Sequence, residues 1–194
     1  MNKKFDPALR LLCEGSSDIY FIGGFKDKVG LNHLKPTGEP VLGNLEGQGI
    51  SYVEEKLPEI IKIPEVKAIG VVIDADSDKE KKWEKIYKIF EAKGKEDKTE
   101  YVLPSIQKEG IIVDFERFRF GLWFWPDNEH DGDLETLLEE LISEDQGFPL
   151  AKTTVSTVLD QQLSELQNKD HRKAQIYTWL CFQEEPGRPF GQAI

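Results

Sequence analysis

Gly70-Val-Val-Ile-Asp-Ala-Asp-Ser-Asp78 sets a short apolar run, residues 71–73, directly before three alternating acids, Asp74, Asp76 and Asp78. A β-branched run of this length suits a strand buried on both faces, as in a parallel sheet. Open α/β sheets carry their chemistry at the carboxyl ends of such strands. Carboxylates crowded there repel one another unless a proton or a cation lies among them. Mg²⁺ answers that need, because it prefers oxygen ligands and keeps several waters. The competing reading is a solvated turn in which Ser77 or Asp78 caps the helix that begins at Lys79. A lone D-x-D discriminates loosely between the two, so the choice rests on acids elsewhere in the chain.

Upstream, residues 8–13 read as a first strand ending at Glu14-Gly15. Ser16 or Ser17 then caps a helix from about residue 18 to 29, with Ile19, Phe21, Ile22 and Phe25 at helical spacing. Glu14 closes a strand and Asp18 opens a helix, so both can face one cleft. Each also has a plain role, Asp18 against the helix dipole and Glu14 on the amides of the turn. Downstream, residues 110–115 read as a strand. Phe118, Phe120, Leu122 and Phe124 then alternate with Arg117, Arg119, Gly121 and Trp123, as in a further strand. Pro126-Asp-Asn128 ends it. A polar loop with Asp127 and His130 close by leads into a helix over 133–141, with Leu134, Leu137, Leu138 and Leu141 on one face. Asp133 and Glu135 open that helix, where the plain reading is an N-cap and a first-turn acid.

The remaining segments organise around these. A short strand is expected at residues 40–43, then a turn at Gly47-Gln-Gly49, which lacks the further residues of a dinucleotide or P-loop fingerprint. A helix over 50–61 follows, with Pro58 in its last turn. The helix over 79–93 turns Ile86, Ile89 and Phe90 inward and keeps Lys79, Lys81, Lys82, Lys85 and Lys88 on a mostly solvated face. Residues 94–99 read as a charged loop. The tail is helical over 151–166 and 171–182, and Arg172 and Lys173 oppose the dipole at the start of the last helix. The expected organisation is an α/β domain over residues 1–142, with a helical extension over 143–194 packed on it.

The chain has 194 residues, 39 % of them hydrophobic, which suits one domain with a packed core. Cys13 and Cys181 sit far apart in apolar segments and read as buried thiols of a reducing compartment. No apolar run spans a bilayer, and the N-terminus lacks a signal peptide, so a cytoplasmic protein is expected. The formal charge of −11 argues against broad attraction to nucleic acid or anionic membrane. It leaves room for a local cation-bridged site. An EF-hand is excluded, because Lys79 replaces the turn glycine and Lys85 the closing acid.

Taken in order, Glu14-Gly15 with Asp18, Asp74-Ala-Asp76 and Gly132-Asp-Leu-Glu135 each follow an apolar strand. This order resembles the Toprim domain, the metal-binding α/β module of topoisomerases, bacterial primases and nucleases related to the overcoming-lysogenization-defect family. Within that superfamily the chain looks most similar to a small stand-alone bacterial group known only as a domain of unknown function, DUF3226. Gly-Leu-Trp-Phe-Trp-Pro-Asp-Asn128, Gly132-Asp-Leu-Glu135, Lys173-Ala and Tyr177-Thr-Trp-Leu180 carry that closer likeness. The Toprim likeness covers about residues 8–142.

The resemblance implies a Toprim-like, Rossmann-like α/β fold: a central, mostly parallel sheet flanked by helices, with a C-terminal helical extension. It implies Mg²⁺ or Mn²⁺ held by Glu14, Asp18, Asp74, Asp76, and Asp133 or Glu135. It makes Glu14 a ligand or proton handler and Lys173 an assisting lysine. The implied activity is cleavage of phosphodiesters in DNA or RNA, where a pair of metal ions activates water and stabilises the attacking and leaving oxygens. The implied partners are nucleic acid, bound weakly by the chain alone, and an ATPase of the AAA or ABC type, in a defence or repair role. No tyrosine is placed as a topoisomerase nucleophile. Two other readings compete: a non-catalytic subunit of an ATPase, which the negative charge favours, and a D-x-D phosphatase with Asp74 as nucleophile. A metal-binding D-x-D also occurs in sugar transferases, but no other feature supports a nucleotide-sugar site.

Overall fold

In the computed structural model, which describes residues 8–28 and 49–188, the chain opens with β1 (Leu9–Cys13) and α1 (Ser16–Lys28). After α2 (Ile50–Ile61) come β2 (Ala68–Asp74) and the long α3 (Lys79–Asp97). The antiparallel pair β3 (Ile111–Asp114) and β4 (Arg119–Trp125) precedes α4 (Leu134–Leu141), α5 (Gly147–Asp160), a 3₁₀ turn (Asn168–Asp170) and α6 (His171–Leu180). The strand expected at residues 40–43 lies outside the described residues.

The four strands form one sheet in the order β1-β2-β4-β3. β1 and β4 both run parallel to β2, with Cys13 opposite Val72 and Asp74 opposite Trp125. Among the described residues the architecture is a mixed, Rossmann-like α/β fold, a mostly parallel sheet flanked by six helices. Because β1, β2 and β4 point the same way, Glu14, Asp74 and Trp125 emerge at one end of the sheet.

The alternation in β2 explains the layering. Ile69, Val71 and Ile73 are buried on one face. There they join Phe120, Leu122 and Phe124 of β4, Val53, Leu57 and Ile61 of α2, and Ile86 and Phe90 of α3. Phe90 sits 4.6 Å from the Phe120 ring and 5.5 Å from the Phe115 ring. The opposite face carries Val72, Trp123 and Trp125 against Phe21 of α1, Leu134 and Leu138 of α4, Phe148 of α5 and Ile176 of α6. The two C-terminal helices therefore share a core with the sheet.

Several sequence expectations need correction. Helix α3 continues through the expected charged loop to Asp97, because Glu91–Lys95 and Lys93–Asp97 pair at i,i+4 spacing along the added turn. Helix α5 begins at Gly147 and ends at Asp160, earlier at both ends than the expected 151–166. Cys181 is exposed, since it lies one residue past α6, whereas Cys13 is buried as expected. Lys79 and Lys82 are buried and do not belong to the solvated face of α3. No helix among the described residues is long and apolar enough to cross a membrane.

Phe90→Ala should cost about 3–5 kcal/mol in urea unfolding, because it empties the centre of the aromatic cluster. Ile112→Thr should change stability by less than about 0.5 kcal/mol, because Ile112 is 71 % exposed on the edge strand. Equal effects of the two would contradict this packing.

Candidate metal centre

The site begins with backbone geometry. Glu14 is the first residue beyond β1, and its amide still bonds the Val72 carbonyl at 3.2 Å. Its Oε2 accepts from the Asp74 amide at 3.0 Å, so one carboxylate joins the ends of β1 and β2. Asp18 lies in the first turn of α1 and is buried. Its Oδ2 accepts from the Gly15 amide at 2.8 Å and its Oδ1 from the Trp125 indole at 2.7 Å. Asp74 closes β2, and its Oδ1 accepts from the Leu134 amide, the first of α4, at 3.0 Å. Glu135 follows in the first turn of α4. Three parallel strand ends and two helix starts therefore bring Glu14, Asp18, Asp74 and Glu135 together.

Their electrostatics show the crowding. Burial pushes the Asp74 carboxyl up to about 8, and the charges of Asp18, Glu14 and Glu135 add to the rise against the Leu134 hydrogen bond. Burial likewise raises Asp18 to about 6, opposed by its bonds to Gly15 and Trp125 and assisted by Glu14 and Glu135. Glu135 is raised by burial and by Asp133, while Lys173 and Arg172 pull it down. Lys173 thus stands within electrostatic reach of the cluster. Burial, then Asp18, pushes the Cys13 thiol far up, which disfavours its thiolate.

The other expected ligands are placed differently. Asp133 is the N-cap of α4: its Oδ1 accepts from the Thr136 amide at 2.8 Å and from Arg172 Nη1 at 3.0 Å. Asp76 turns its half-exposed carboxylate to Lys82. Its backbone is left-handed, with φ 49°, and pairs with Gly132 through bonds of 2.6 and 2.9 Å. Gly132 has φ 143°, and a Cβ there would stand 2.6 Å from Thr136 Oγ1. Asp127 and His130 bond each other and shape the loop, with Asp127 Oδ1 accepting from the Glu129 and His130 amides.

Two lysines escaped the sequence reading. Lys82 Nζ donates to the Asp74 carbonyl at 3.0 Å, lies 3.4 Å from Glu14 Oε2 and pairs with Asp76. Lys79 Nζ donates to the carbonyls of Asn128 and Glu129, each at 2.8 Å. Buried Asn128 in turn accepts from the Phe124 amide at 2.7 Å. Lys79 thereby pins the loop that delivers Asp133 and Glu135. The available signal was spacing: residues three apart share a helix face, and this face lies one turn beyond the acids.

The donor set consists of oxygens alone, Asp18 buried and the others half-buried, mutually repelling, a chemistry that suits a hard cation such as Mg²⁺ or Mn²⁺. Among the described residues no three carboxylate, histidine or cysteine side chains are already gathered as a ligand set.

Residues 9–194 match a family described as a protein of unknown function, DUF3226. No curated protein and no solved structure matches the chain.

Asp18 and Asp74 both hold protons to higher pH in the folded chain than in the unfolded one, where an aspartic acid titrates near 4. The folded state binds more protons over that interval, so metal-free stability should fall as pH rises from about 4 through about 8. Thermal melts between about pH 5 and pH 9, in chelator, should show the decline. Asp74→Asn should flatten its upper part and raise Tm near pH 8 by several degrees, at about 2–4 °C per kcal/mol for a chain of this size. An Asn variant less stable than the parent at pH 8 would contradict the crowding.

Proposed function

The chain belongs to the DUF3226 family, and we propose that it is a Mg²⁺- or Mn²⁺-dependent, Toprim-like phosphodiester-cleaving enzyme acting on DNA or RNA. The observation that carries this reading is Asp74, half-buried at the end of β2, whose carboxyl is pushed up to about 8 by desolvation and by the charges of Asp18, Glu14 and Glu135. Asp18, Asp74 and Glu135 would hold the ion, which when bound supplies Lewis acidity and lowers the pKa of water. The chain's own groups do the rest. Trp125 and Gly15 orient the Asp18 carboxylate, and the Leu134 amide orients Asp74. Glu14 has Oε2 engaged by Asp74 N and Lys82, and keeps Oε1 to handle a proton. Lys173 and Arg172 place positive charge beside Glu135, where a phosphate would approach.

The charge of −11 gives the chain little hold on a polyanion by itself. A partner ATPase of the AAA or ABC type, in a defence or repair role, is therefore part of the proposal. The cytoplasm is the proposed compartment, where the unpaired thiols of Cys13 and Cys181 persist. A second reading is a non-catalytic subunit of such an ATPase. It is favoured by Asp133 and Asp76, two expected ligands already engaged by Arg172 and Lys82.

Mn²⁺ should raise Tm, because a ligand that binds only the folded state stabilises it. Supercoiled DNA, single-stranded DNA and structured RNA should be tested for cleavage in Mn²⁺, with and without the ATPase. Asp74→Asn should remove most of the Tm gain and reduce cleavage about 10²–10³-fold, since metal activation contributes several kcal/mol. Lys173→Ala should slow cleavage and leave metal affinity intact. Cleavage that survives Asp74→Asn would refute the site. No cleavage, alongside tight association with the ATPase, would establish the subunit reading in its place.

A further inference from the structure

Lys82 occupies a position with the coordination of a cation site. Its side chain is 6 % exposed, and its ammonium meets Glu14 Oε2, the Asp74 carbonyl and Asp76 Oδ2. These oxygens come from the end of β1, the end of β2 and the left-handed residue beyond β2. An ammonium has three donors, and this one has a partner for each. Asp18 and Asp74, by contrast, accept hydrogen bonds to their carboxylates from neutral groups, the Gly15 and Leu134 amides and the Trp125 indole. The acids thus divide into two sets. Glu14 and Asp76 surround a cation that the chain itself provides, while Asp18, Asp74 and Glu135 have no cation bonded to their carboxylates among these contacts and raise one another's pKa through their charges.

Building on the metal-dependent reading, we propose that Lys82 replaces one ion of a two-ion pair, so that the centre binds a single divalent ion at Asp18, Asp74 and Glu135. A metal entering between Glu14 and Asp76 would have to expel a desolvated, fully bonded ammonium. A buried charge deprived of its partners is strongly unfavourable. Lys82 is a positioning residue. It holds Glu14 Oε2 toward the end of β2 and leaves Oε1 beside Gly49, where a Cβ on that glycine would stand 3.2 Å away. Asp76, with its left-handed backbone, is part of the same arrangement, because its carboxylate pairs with Lys82 of α3.

The test counts bound ions with Mn²⁺ alone as the probe, by calorimetric titration of the full chain and by electron paramagnetic resonance. The parent and Lys82→Arg should each bind one Mn²⁺ and show no signal of coupled ions. Lys82→Gln removes the charge, opens the position between Glu14 and Asp76, and should bind two with a coupled-pair signal. Asp74→Asn should weaken the single site of the parent at least about 100-fold. Two ions on the parent chain, or one on a folded Lys82→Gln, would overturn the role of Lys82 and leave the metal-dependent reading standing. No Mn²⁺ on the parent would overturn that reading itself. Should Lys82→Gln not fold, the counts on the parent and Lys82→Arg decide: one on each supports the replacement, and two on either refutes it.

Discussion

A desolvated carboxylate set among carboxylates must find a proton or a cation, and half-buried Asp74 is the residue on which this constraint falls hardest. It ends the central strand, where the sheet supplies no counter-charge of its own. Everything around it answers the problem in part. The Leu134 amide bonds one of its oxygens, and its own amide and carbonyl engage Glu14 and Lys82. None of these contacts is strong enough to bring its carboxyl back to the usual aspartate range. A folded chain that tolerates such a group retains a local instability that a proton or a counter-charge relieves. Strained or destabilised groups of this kind gather where proteins bind and react.

The scaffold that sustains the cluster is assembled from both faces of the sheet. The α2–α3 core immobilises the apolar side of β2 and β4, so the strand ends cannot retreat from one another. On the other face, Trp125 belongs to the second core and also donates to Asp18, which couples α1 to the end of β4. The loop after β4 is held by Lys79, by buried Asn128 and by the Asp76–Gly132 pair. Arg172 from α6 then reaches the cap of α4. The C-terminal helices therefore bear on the site through Arg172 and Lys173, and a shortened chain would lose that charge.

Two basic residues illustrate how position decides role. Lys79 and Lys82 lie on a helix whose other lysines, such as Lys88 and Lys95, form exposed i,i+4 pairs. Exposed pairs of that kind contribute little. Buried ones are different, because removing either partner leaves a desolvated charge. Lys79 spends its charge on two loop carbonyls and Lys82 on the acid cluster, so neighbouring residues of one type divide into surface, loop anchor and site.

How much of this was legible varied with the range of the interaction. Local periodicity determined the strand at residues 71–73, the Phe118–Phe124 alternation and the Leu134–Leu138 face. The placement of acids immediately after apolar runs located Glu14, Asp18, Asp74 and Glu135, because a strand end and a helix start are both local signals. The cap role of Asp133 was legible for the same reason. Contacts between residues far apart in the chain were not. Nothing in the sequence near Lys82 shows that β1 lies beside β2 and brings Glu14, 68 residues away, to its ammonium. Nor does it show that Trp125 donates to Asp18 across 107 residues. The sequence by itself determined which residues are acids at strand ends and which faces are apolar. Only the tertiary structure decided which acids repel one another and which already have a cation, because desolvation and Coulomb interaction depend on distance through space and not along the chain.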